Sequence, residues 1–180
     1  IMSHPLHLFT YCPRCGSSHF VENNASSKRC ETCGFIYYSN PKTATVGLIF
    51  NSRGELLVCK RSHDPCSGML DLPGGFTECG ETAEEAIKRE VLEETGLVIS
   101  KLKYLFSRPN IYPYSGLAIH TMDLFFLCEV ENDSVVIPQD DVSACYWANM
   151  NELDLNDFAF ESIRSGIKYL TDYKERDGNH

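Results

Sequence analysis

Stretches rich in β-branched and apolar residues recur along the chain at short intervals, with turn residues between them. They predict strands at 43–50, 55–61, 70–72, 98–107, 117–130 and 145–148. Between the first two of these strands, the sequence Asn-Ser-Arg-Gly at 51–54 predicts a hairpin turn.

Two further segments carry apolar residues at helical spacing. The first begins after Thr82, which forms a Thr-x-x-Glu capping box with Glu85. It ends before Gly96, which suits the left-handed position just past a helix end. The second runs from about 158 to 173. Strands around helices in this order predict a layered α/β fold. The apolar residues on the two inner faces are Ala83, Ala86, Ile87 and Val91 in the first helix, and Ile163, Ile167 and Leu170 in the second.

Glutamates crowd one face of the first helix. Glu90 and Glu94 are one turn apart with Glu93 beside them, and residues at this spacing lie about 5–6 Å apart at their Cβ atoms. Carboxylates this close repel one another, and a hard cation such as Mg²⁺, which prefers oxygen ligands, would remove the repulsion. Arg89 is placed to hold the carboxylate of Glu85 or Glu93 by a forked hydrogen bond. A solvated acidic helix face is the alternative interpretation.

A longer pattern favours the metal site. Residues 75–97 fit Gly-x5-Glu-x7-Arg-Glu-U-x-Glu-Glu-x-Gly-U, where U is aliphatic, without a mismatch. The chain therefore resembles the Nudix hydrolases, whose signature this is. The resemblance implies a Nudix-type α/β/α sandwich with a mixed sheet. It also implies attack of water on a phosphorus of a nucleoside diphosphate linked to another moiety. The matching residues are Gly75, Glu81, Arg89, Glu90, Val91, Glu93, Glu94, Gly96 and Leu97.

The resemblance also implies roles for single residues. Glu93 and Glu94 would ligate catalytic Mg²⁺ or Mn²⁺, and Glu90 would be a further ligand or the general base. Arg89 would orient one of these glutamates, and the carbonyl of Gly74 would complete a metal shell. General chemistry agrees with these roles, because bound cations neutralise a diphosphate and lower the pKa of a bound water.

The N-terminal part carries two Cys-x2-Cys-Gly knuckles, with fourteen residues between them. The four thiols of Cys12, Cys15, Cys30 and Cys33 have the spacing of a tetrahedral Zn²⁺ site. Four protein ligands leave no open position, so such a zinc is structural. Two disulfides or free thiols are the alternatives. A ribbon of about 40 residues has little core, which a metal site can make up for. The predicted division is therefore a zinc ribbon at 1–40 and a Nudix domain at 41–180.

Composition narrows the class of partner and compartment. The net charge of −9 argues against a nucleic-acid partner and for a small nucleotide substrate bound through metals. No run of 18 apolar residues is present, so no membrane span is expected. The nine cysteines leave an odd remainder of five outside the zinc set, which indicates a reducing compartment and a cytoplasmic protein.

The signature at residues 75–97 is called the box below. Segments outside it resemble the zinc-ribbon branch of the Nudix family, including FAD/ADP-ribose and NADH pyrophosphatases. These segments are residues 33–42, 57–61, 65–75 and 158–163. One departure is Leu70, where many relatives have tryptophan. Residues 107–115 match only part of the NADH pyrophosphatase signature, which puts NADH specificity in doubt. We interpret them either as a proline-rich surface loop or as a loop lining the substrate site. In the second case Tyr112 or Tyr114 would stack on a base and Arg108 would meet a phosphate.

Two residues outside the signature are further candidates. Asp141 occupies the place of a downstream metal-binding glutamate in the NADH pyrophosphatase relatives, and a surface loop carboxylate is the alternative. Arg61 could face the diphosphate or lie at a charged strand end. Relatives with a ribbon also suggest a homodimer.

Three functions stay open on the sequence alone. The first is a diphosphatase acting on a substrate such as FAD, ADP-ribose or NADH. The second is a hydrolase that sanitises nucleoside triphosphates. The third is a non-enzymatic module that senses nucleotides or binds a protein.

Overall fold

The computed structural model describes residues 4–133 and 135–177, with side chains described up to residue 172. The chain forms two compact units. One comprises Ile1–Pro41 and Ile111–His120, and the other Lys42–Asn110 and Thr121–His180. The division expected at residue 40 did not include the second segment of the first unit.

The first unit contains a three-stranded antiparallel sheet in the order β1-β2-β3. Its strands are β1 Phe20–Asn24, β2 Ser27–Cys30 and β3 Ile36–Tyr38. The core of this unit is small and consists largely of cysteine, which is the situation in which a metal commonly supplies stability. Its buried members are Cys12, Phe20 and Cys30, with Cys33 and Phe35 packed against them.

The second unit contains two three-stranded sheets and two helices. Its sheets have the orders β4-β8-β7 and β6-β5-β9. The pair β4/β8 is parallel and the pairs β5/β6 and β5/β9 are antiparallel, so the predicted α/β class with mixed pairing is confirmed. The elements are β4 Lys42–Ile49, β5 Leu56–Arg61, β6 Leu70–Asp71, α1 Ala83–Thr95, β7 Ile99–Tyr114, β8 Leu117–Val130, β9 Val142–Ala148 and α2 Glu161–Asp177.

Helix α1 packs its apolar stripe into a core shared with both sheets. Ile87 and Val91 are fully buried there, and each such side chain contributes about 1.5–3 kcal/mol by leaving water. Burial of this stripe fixes the rotation of the helix, so the box glutamates are presented on a defined face. The buried core also includes Ile49, Leu57, Leu97, Ile99, Phe126 and Cys128.

Both ends of α1 are fixed as the sequence predicts. The Thr82 hydroxyl accepts a hydrogen bond from the Glu85 amide at 3.2 Å, and the Thr82 amide donates to the Glu85 carboxylate at 2.8 Å. Gly96 ends the helix with φ of 72°, and its N–H donates to the Leu92 carbonyl at 2.9 Å. The positions of the signature glutamates along the helix are therefore fixed by contacts at the two ends of the helix itself.

The loop expected over residues 107–115 is wrong for Arg108 to Tyr114, which continue strand β7 beyond its predicted end at Ser107. β7 is an edge strand, because only β8 pairs with it in the order β4-β8-β7. Pro109 and Pro113 are four residues apart, so their missing N–H groups both belong to one side of the strand. Prolines are tolerated in an edge strand on the side without a partner.

Among the described residues, no helix is long and apolar enough to cross a membrane.

Candidate active site

Arg89 lies at the centre of the acidic cluster on α1. Its Nε and Nη2 donate to the two carboxylate oxygens of Glu81 at 2.8 and 2.9 Å. Its Nη1 donates to Glu90 at 2.8 Å and to Glu93 at 3.0 Å, and its Nη2 also reaches the Phe76 carbonyl at 3.2 Å. One guanidinium therefore positions three carboxylates and joins the helix to the preceding loop.

The sequence placed Arg89 beside Glu85 or Glu93, and the structure shows the contact with Glu93. Glu85 is engaged in the helix cap instead. Sequence reasoning gave Glu81 no role, although it is a fixed position of the signature. Glu81 lies eight residues before Arg89, in the turn that precedes the helix. Helical spacing alone therefore could not predict that Glu81 and Arg89 are in contact.

The glycine loop closes over the other end of the cluster. The Gly74 amide donates to the Glu94 carboxylate at 2.9 Å. Gly74 has φ of 143°, and a Cβ there would lie 2.1 Å from the Thr45 carbonyl oxygen. A Cβ on Gly75 would lie 2.5 Å from the carboxyl carbon of Glu90. Position 74 therefore requires glycine for the loop to lie against the Thr45 backbone, whereas a side chain at position 75 would displace the Glu90 carboxylate.

Burial changes the proton affinity of two of these glutamates. Desolvation raises the pKa of Glu94 to about 9, and repulsion from Asp71 and Glu90 adds to this against the lowering effect of the Gly74 N–H. Desolvation also raises the pKa of Glu90, and repulsion from Glu93 and Asp140 adds to it against the lowering effect of Arg89. Both carboxylates are thus held where a nearby positive charge would stabilise their ionised form.

The donor set suits a hard cation. Carboxylates and a backbone carbonyl are the ligands that Mg²⁺ and Mn²⁺ take. The Glu93 side chain is 46% exposed, whereas that of Glu90 is 15% exposed. The Glu93 carboxylate therefore faces solvent beside the largely buried carboxylate of Glu90. Glu90 and Glu93 both accept hydrogen bonds from Arg89, whereas Glu94 accepts one from the Gly74 N–H. Among the described residues, the three glutamates do not place one oxygen each within 4.8 Å of one another.

Asp141 is placed differently from the expectation for a metal ligand. Its side chain is 72% exposed, and its carboxylate lies 3.3 Å from Nδ1 of His63. Across the part of the chain that the structure describes, no hydrogen bond or ion pair joins Asp141 to the box glutamates. The neighbouring Asp140 instead contributes the repulsion felt at Glu90. The metal-ligand role of Asp141 stays a prediction.

Arg61 forms an ion pair with Asp71, whose charge also acts on Glu94. Its Nη1 lies 2.9 Å from the Asp71 carboxylate, its Nε donates to the Pro65 carbonyl at 2.9 Å, and its guanidinium lies over the Phe160 ring. Both charged side chains of the pair are mostly buried. Desolvation raises the pKa of Asp71 to about 6, against the lowering effect of Arg61. Sequence reasoning missed this ion pair, because two residues ten apart on different strands show no local signal.

The remaining candidate substrate residues lie on β7. The guanidinium carbon of Arg108 lies over the rings of Phe106 and Tyr169, 4.7 and 4.8 Å from their centroids. Tyr112 and Tyr114 lie in the part of β7 that belongs to the first unit, and Tyr114 is 60% exposed. Their contact with a substrate stays a prediction.

The four knuckle cysteines converge in the first unit. Their sulfur atoms all lie within 4.8 Å of one another. The distances Cys12–Cys33 and Cys15–Cys30 are 3.8 and 3.6 Å. A tetrahedron with Zn–S bonds of about 2.3 Å requires sulfur atoms about 3.8 Å apart. Hydrogen bonding from the Cys33 backbone lowers the pKa of Cys30 to about 6, which favours a thiolate there, whereas against the lowering effect of the Ser17 backbone the hydrogen bond with Cys33 and burial raise the pKa of Cys15 to about 12. The residues therefore fit zinc.

The family assignment rests on a model that matches most of the chain. Residues 40–168 match the NUDIX domain family. This chain belongs to that family, and the membership expected from the signature is confirmed. At the level of the family, the prediction of a hydrolase is confirmed as well.

Relatives and solved structures agree with this assignment. The chain is 28% identical over 147 residues to the NAD-capped RNA hydrolase NudC of Chromobacterium violaceum, which covers 82% of this chain and 52% of that protein. The chain thus spans about half the length of the curated relatives it matches. The crystal structure of a NUDIX hydrolase from Nitrosomonas europaea superposes with a TM-score of 0.70 at 22% identity, covering 93% of each chain.

A second solved structure is a bifunctional NMN adenylyltransferase/ADP ribose pyrophosphatase from Francisella tularensis complexed with AMP and a manganese ion. It matches with a TM-score of 0.58 at 22% identity, covering 76% of this chain and 42% of that one. At these identities the structural matches show the fold.

Proposed function

We propose that this protein is a metal-dependent pyrophosphohydrolase. It cleaves the diphosphate of a nucleoside diphosphate linked to another moiety, such as FAD, ADP-ribose or an NADH-like dinucleotide. The products are a mononucleotide and a second phosphorylated compound. The observation that carries the proposal is the Arg89 fork, which holds Glu81, Glu90 and Glu93 together beneath the glycine loop.

Each residue of the cluster has a defined part in this proposal. Glu90, Glu93 and Glu94 would hold Mg²⁺ or Mn²⁺, which when bound neutralises the diphosphate and lowers the pKa of a water. Arg89 keeps Glu90 and Glu93 pointing to one side of the helix. The Gly74 N–H fixes the Glu94 carboxylate. Because Glu90 is largely buried with a raised pKa, it is suited to take the proton of the attacking water.

The four-cysteine cluster supports a structural rather than a catalytic zinc. All four positions of a tetrahedral site are taken by protein thiols, so none is open for substrate or water. We therefore assign the chemistry to the box and the stability of the first unit to zinc.

The substrate class is argued from relatives. NudC proteins are named as hydrolases of NAD-capped RNA, and the Francisella enzyme as an ADP ribose pyrophosphatase. Both substrates contain a nucleoside diphosphate linked to a second group. The net charge of −9 disfavours binding the RNA part. We therefore propose a small nucleoside diphosphate derivative, rather than a capped RNA, as the substrate. We also propose a cytoplasmic location, and the homodimer stays a prediction.

The experiment is product analysis by chromatography after incubation with Mg²⁺, and separately with Mn²⁺. The panel holds FAD, NADH, NAD, ADP-ribose, nucleotide sugars, nucleoside triphosphates and a short NAD-capped RNA. We expect a mononucleotide to be released from one dinucleotide or sugar nucleotide much faster than from the others. Faster turnover of a triphosphate would replace the proposal with the sanitising function. Nucleotide binding without turnover by either metal would replace it with a sensor.

A further inference from the structure

Two cysteines outside the zinc set face each other between neighbouring strands. Cys59 in β5 and Cys145 in β9 are register partners in an antiparallel pair. Their sulfur atoms are 3.0 Å apart. Cys59 is fully buried and Cys145 is half-buried. Neither residue belongs to the box or to the ribbon, so the proposed function leaves the pair unexplained.

The strand pairing allows the two sulfur atoms to bond. Opposite residues of an antiparallel pair have Cα atoms about 4.5–5.5 Å apart. Disulfide-bonded cysteines have Cα atoms about 4.4–6.8 Å apart. The ladder already holds Cys59 and Cys145 in this range, so a disulfide requires side-chain rotation rather than movement of the strands.

The two thiols differ in reactivity. Cys145 is the more accessible of the two, and the hydrogen bond with Cys59 lowers its pKa. The same hydrogen bond and burial raise the pKa of Cys59. The thiolate is the form that reacts with an oxidant. Cys145 is therefore placed to react first, with Cys59 behind it as a resolving thiol.

We propose that Cys59 and Cys145 form a reversible disulfide site that responds to hydroperoxides. The Cys145 thiolate attacks one oxygen of hydrogen peroxide, the O–O bond breaks, and Cys145 sulfenic acid and hydroxide form. The Cys59 sulfur then attacks the sulfenic sulfur, the S–O bond breaks, and the released hydroxide takes the Cys59 proton as water. Overall, two thiols are oxidised and one peroxide is reduced to two molecules of water.

The site lies next to the acidic cluster without using its ligands. Cys59 is the register partner of Asp71 in β6, and the charges of Asp71 and Glu94 both act on its thiol. Asp71 lies three residues before Gly74, whose amide holds Glu94. Formation of the disulfide would thus join β5 to β9 covalently at the position of β5 that pairs with Asp71.

The test uses the full chain with zinc bound, treated with hydrogen peroxide, then alkylated in denaturant and mapped by mass spectrometry. We expect a cross-linked peptide pair joining Cys59 to Cys145, with two fewer free thiols per chain, and its loss after dithiothreitol. Zinc release is followed with a chromogenic chelator, and the cross-link is expected while zinc is retained. Cys145→Ser should abolish the cross-link, whereas the matched control Cys79→Ser, at an exposed cysteine, should leave it unchanged.

The proposal is overturned if Cys59 and Cys145 are both still alkylated at peroxide concentrations that oxidise Cys79. It is equally overturned if Cys145 proceeds to sulfinic acid without a cross-link. Mapping of the wild-type protein needs no variant to fold and no hydrolysis to occur. Its result is therefore independent of the proposed hydrolase activity.

Discussion

At the scale of single residues, the chemistry of this protein depends on how one guanidinium distributes its donors. Arg89 has five N–H groups in a fixed fork. Four hydrogen bonds reach Glu81, Glu90 and Glu93, and one reaches a backbone carbonyl. A lysine has three donors without this planar geometry, so it could not make the same set of contacts.

Glu93 is the glutamate whose replacement tests the proposed metal role most directly. Glu93→Gln removes a charged ligand while keeping the size of the side chain. We expect kcat to fall by several orders of magnitude, on the order of 10³-fold, as metal-assisted activation of water is lost. The thermal midpoint should change little, because the half-exposed Arg89–Glu93 pair contributes at most about 1 kcal/mol. Steady-state kinetics with saturating Mg²⁺ provide the measurement.

The matched control is Glu84→Gln, an exposed glutamate in the first turn of the same helix. It makes the same change of charge without touching Arg89, so its kcat should match that of the wild type. Normal turnover by Glu93→Gln would rule out the assigned role, and an equal loss in both variants would indicate a general effect of charge.

Asp71 predicts a pH dependence of stability. Its pKa in the folded protein is raised to about 6 from an ordinary value of 3.8, so between these values the folded state binds more protons than the unfolded state. The contribution of Asp71 to stability therefore falls as the pH rises from about 4 towards 7. Asp71→Asn has no such titration. Between pH 5 and pH 7, the free energy of unfolding of the wild type should drop by about 1 kcal/mol more than that of the variant.

Urea unfolding of both proteins at the two pH values gives this difference, and titrating groups that do not interact with Asp71 cancel in the comparison. Equal changes in the two proteins would show that the buried Asp71–Arg61 pair titrates near its ordinary value.

At the scale of elements, helix α1 shows which parts of the fold a sequence can predict. Its cap, its apolar stripe and its glycine end are all encoded within fifteen residues, and the structure places them as expected. The order of strands is different, because the parallel pairing of β4 with β8 joins residues about 80 positions apart. Prolines also misled the interpretation of 107–115, since their effect depends on whether a strand lies at an edge.

The candidate site divides in the same way. The glutamates of α1 and the four cysteines could be predicted because short, fixed spacings place them together. The Arg61–Asp71 pair and the facing thiols of Cys59 and Cys145 depend on pairing between separate strands, so no local pattern indicated them.

The capping box gives a prediction at this scale. Thr82→Ala leaves the Glu85 amide without its side-chain acceptor, and this should lower the free energy of unfolding by about 1 kcal/mol. For a domain of this size the thermal midpoint should fall by about 2–4 °C. Thr82→Ser keeps the hydroxyl and should restore most of the loss. Calorimetry of the three proteins checks this, and identical midpoints for Ala and Thr would show that the cap contributes nothing.

At the scale of the whole molecule, the two units obtain stability from different sources. The second unit has a core of large aliphatic and aromatic side chains, including Ile49, Leu57 and Phe126. The buried hydrophobic cluster of the first unit comprises Cys12, Phe20 and Cys30. A unit with so small an apolar core is expected to depend on its metal.

Zinc removal should therefore act on the two units unequally. After treatment with a strong zinc chelator under reducing conditions, we expect the amide resonances of β1, β2 and β3 to lose their dispersion, because this small core loses the metal–sulfur bonds that hold it together. Resonances of α1 should persist, since its packing uses no thiolate ligand.

Cys15→Ala should reproduce the loss without chelator, and the control Cys66→Ala should retain one zinc per chain. A ribbon that survives chelation, with its four cysteines found as two disulfides, would establish the alternative to zinc. The same thiols that lie 3.6–3.8 Å apart would then stabilise the unit through covalent bonds rather than through a cation.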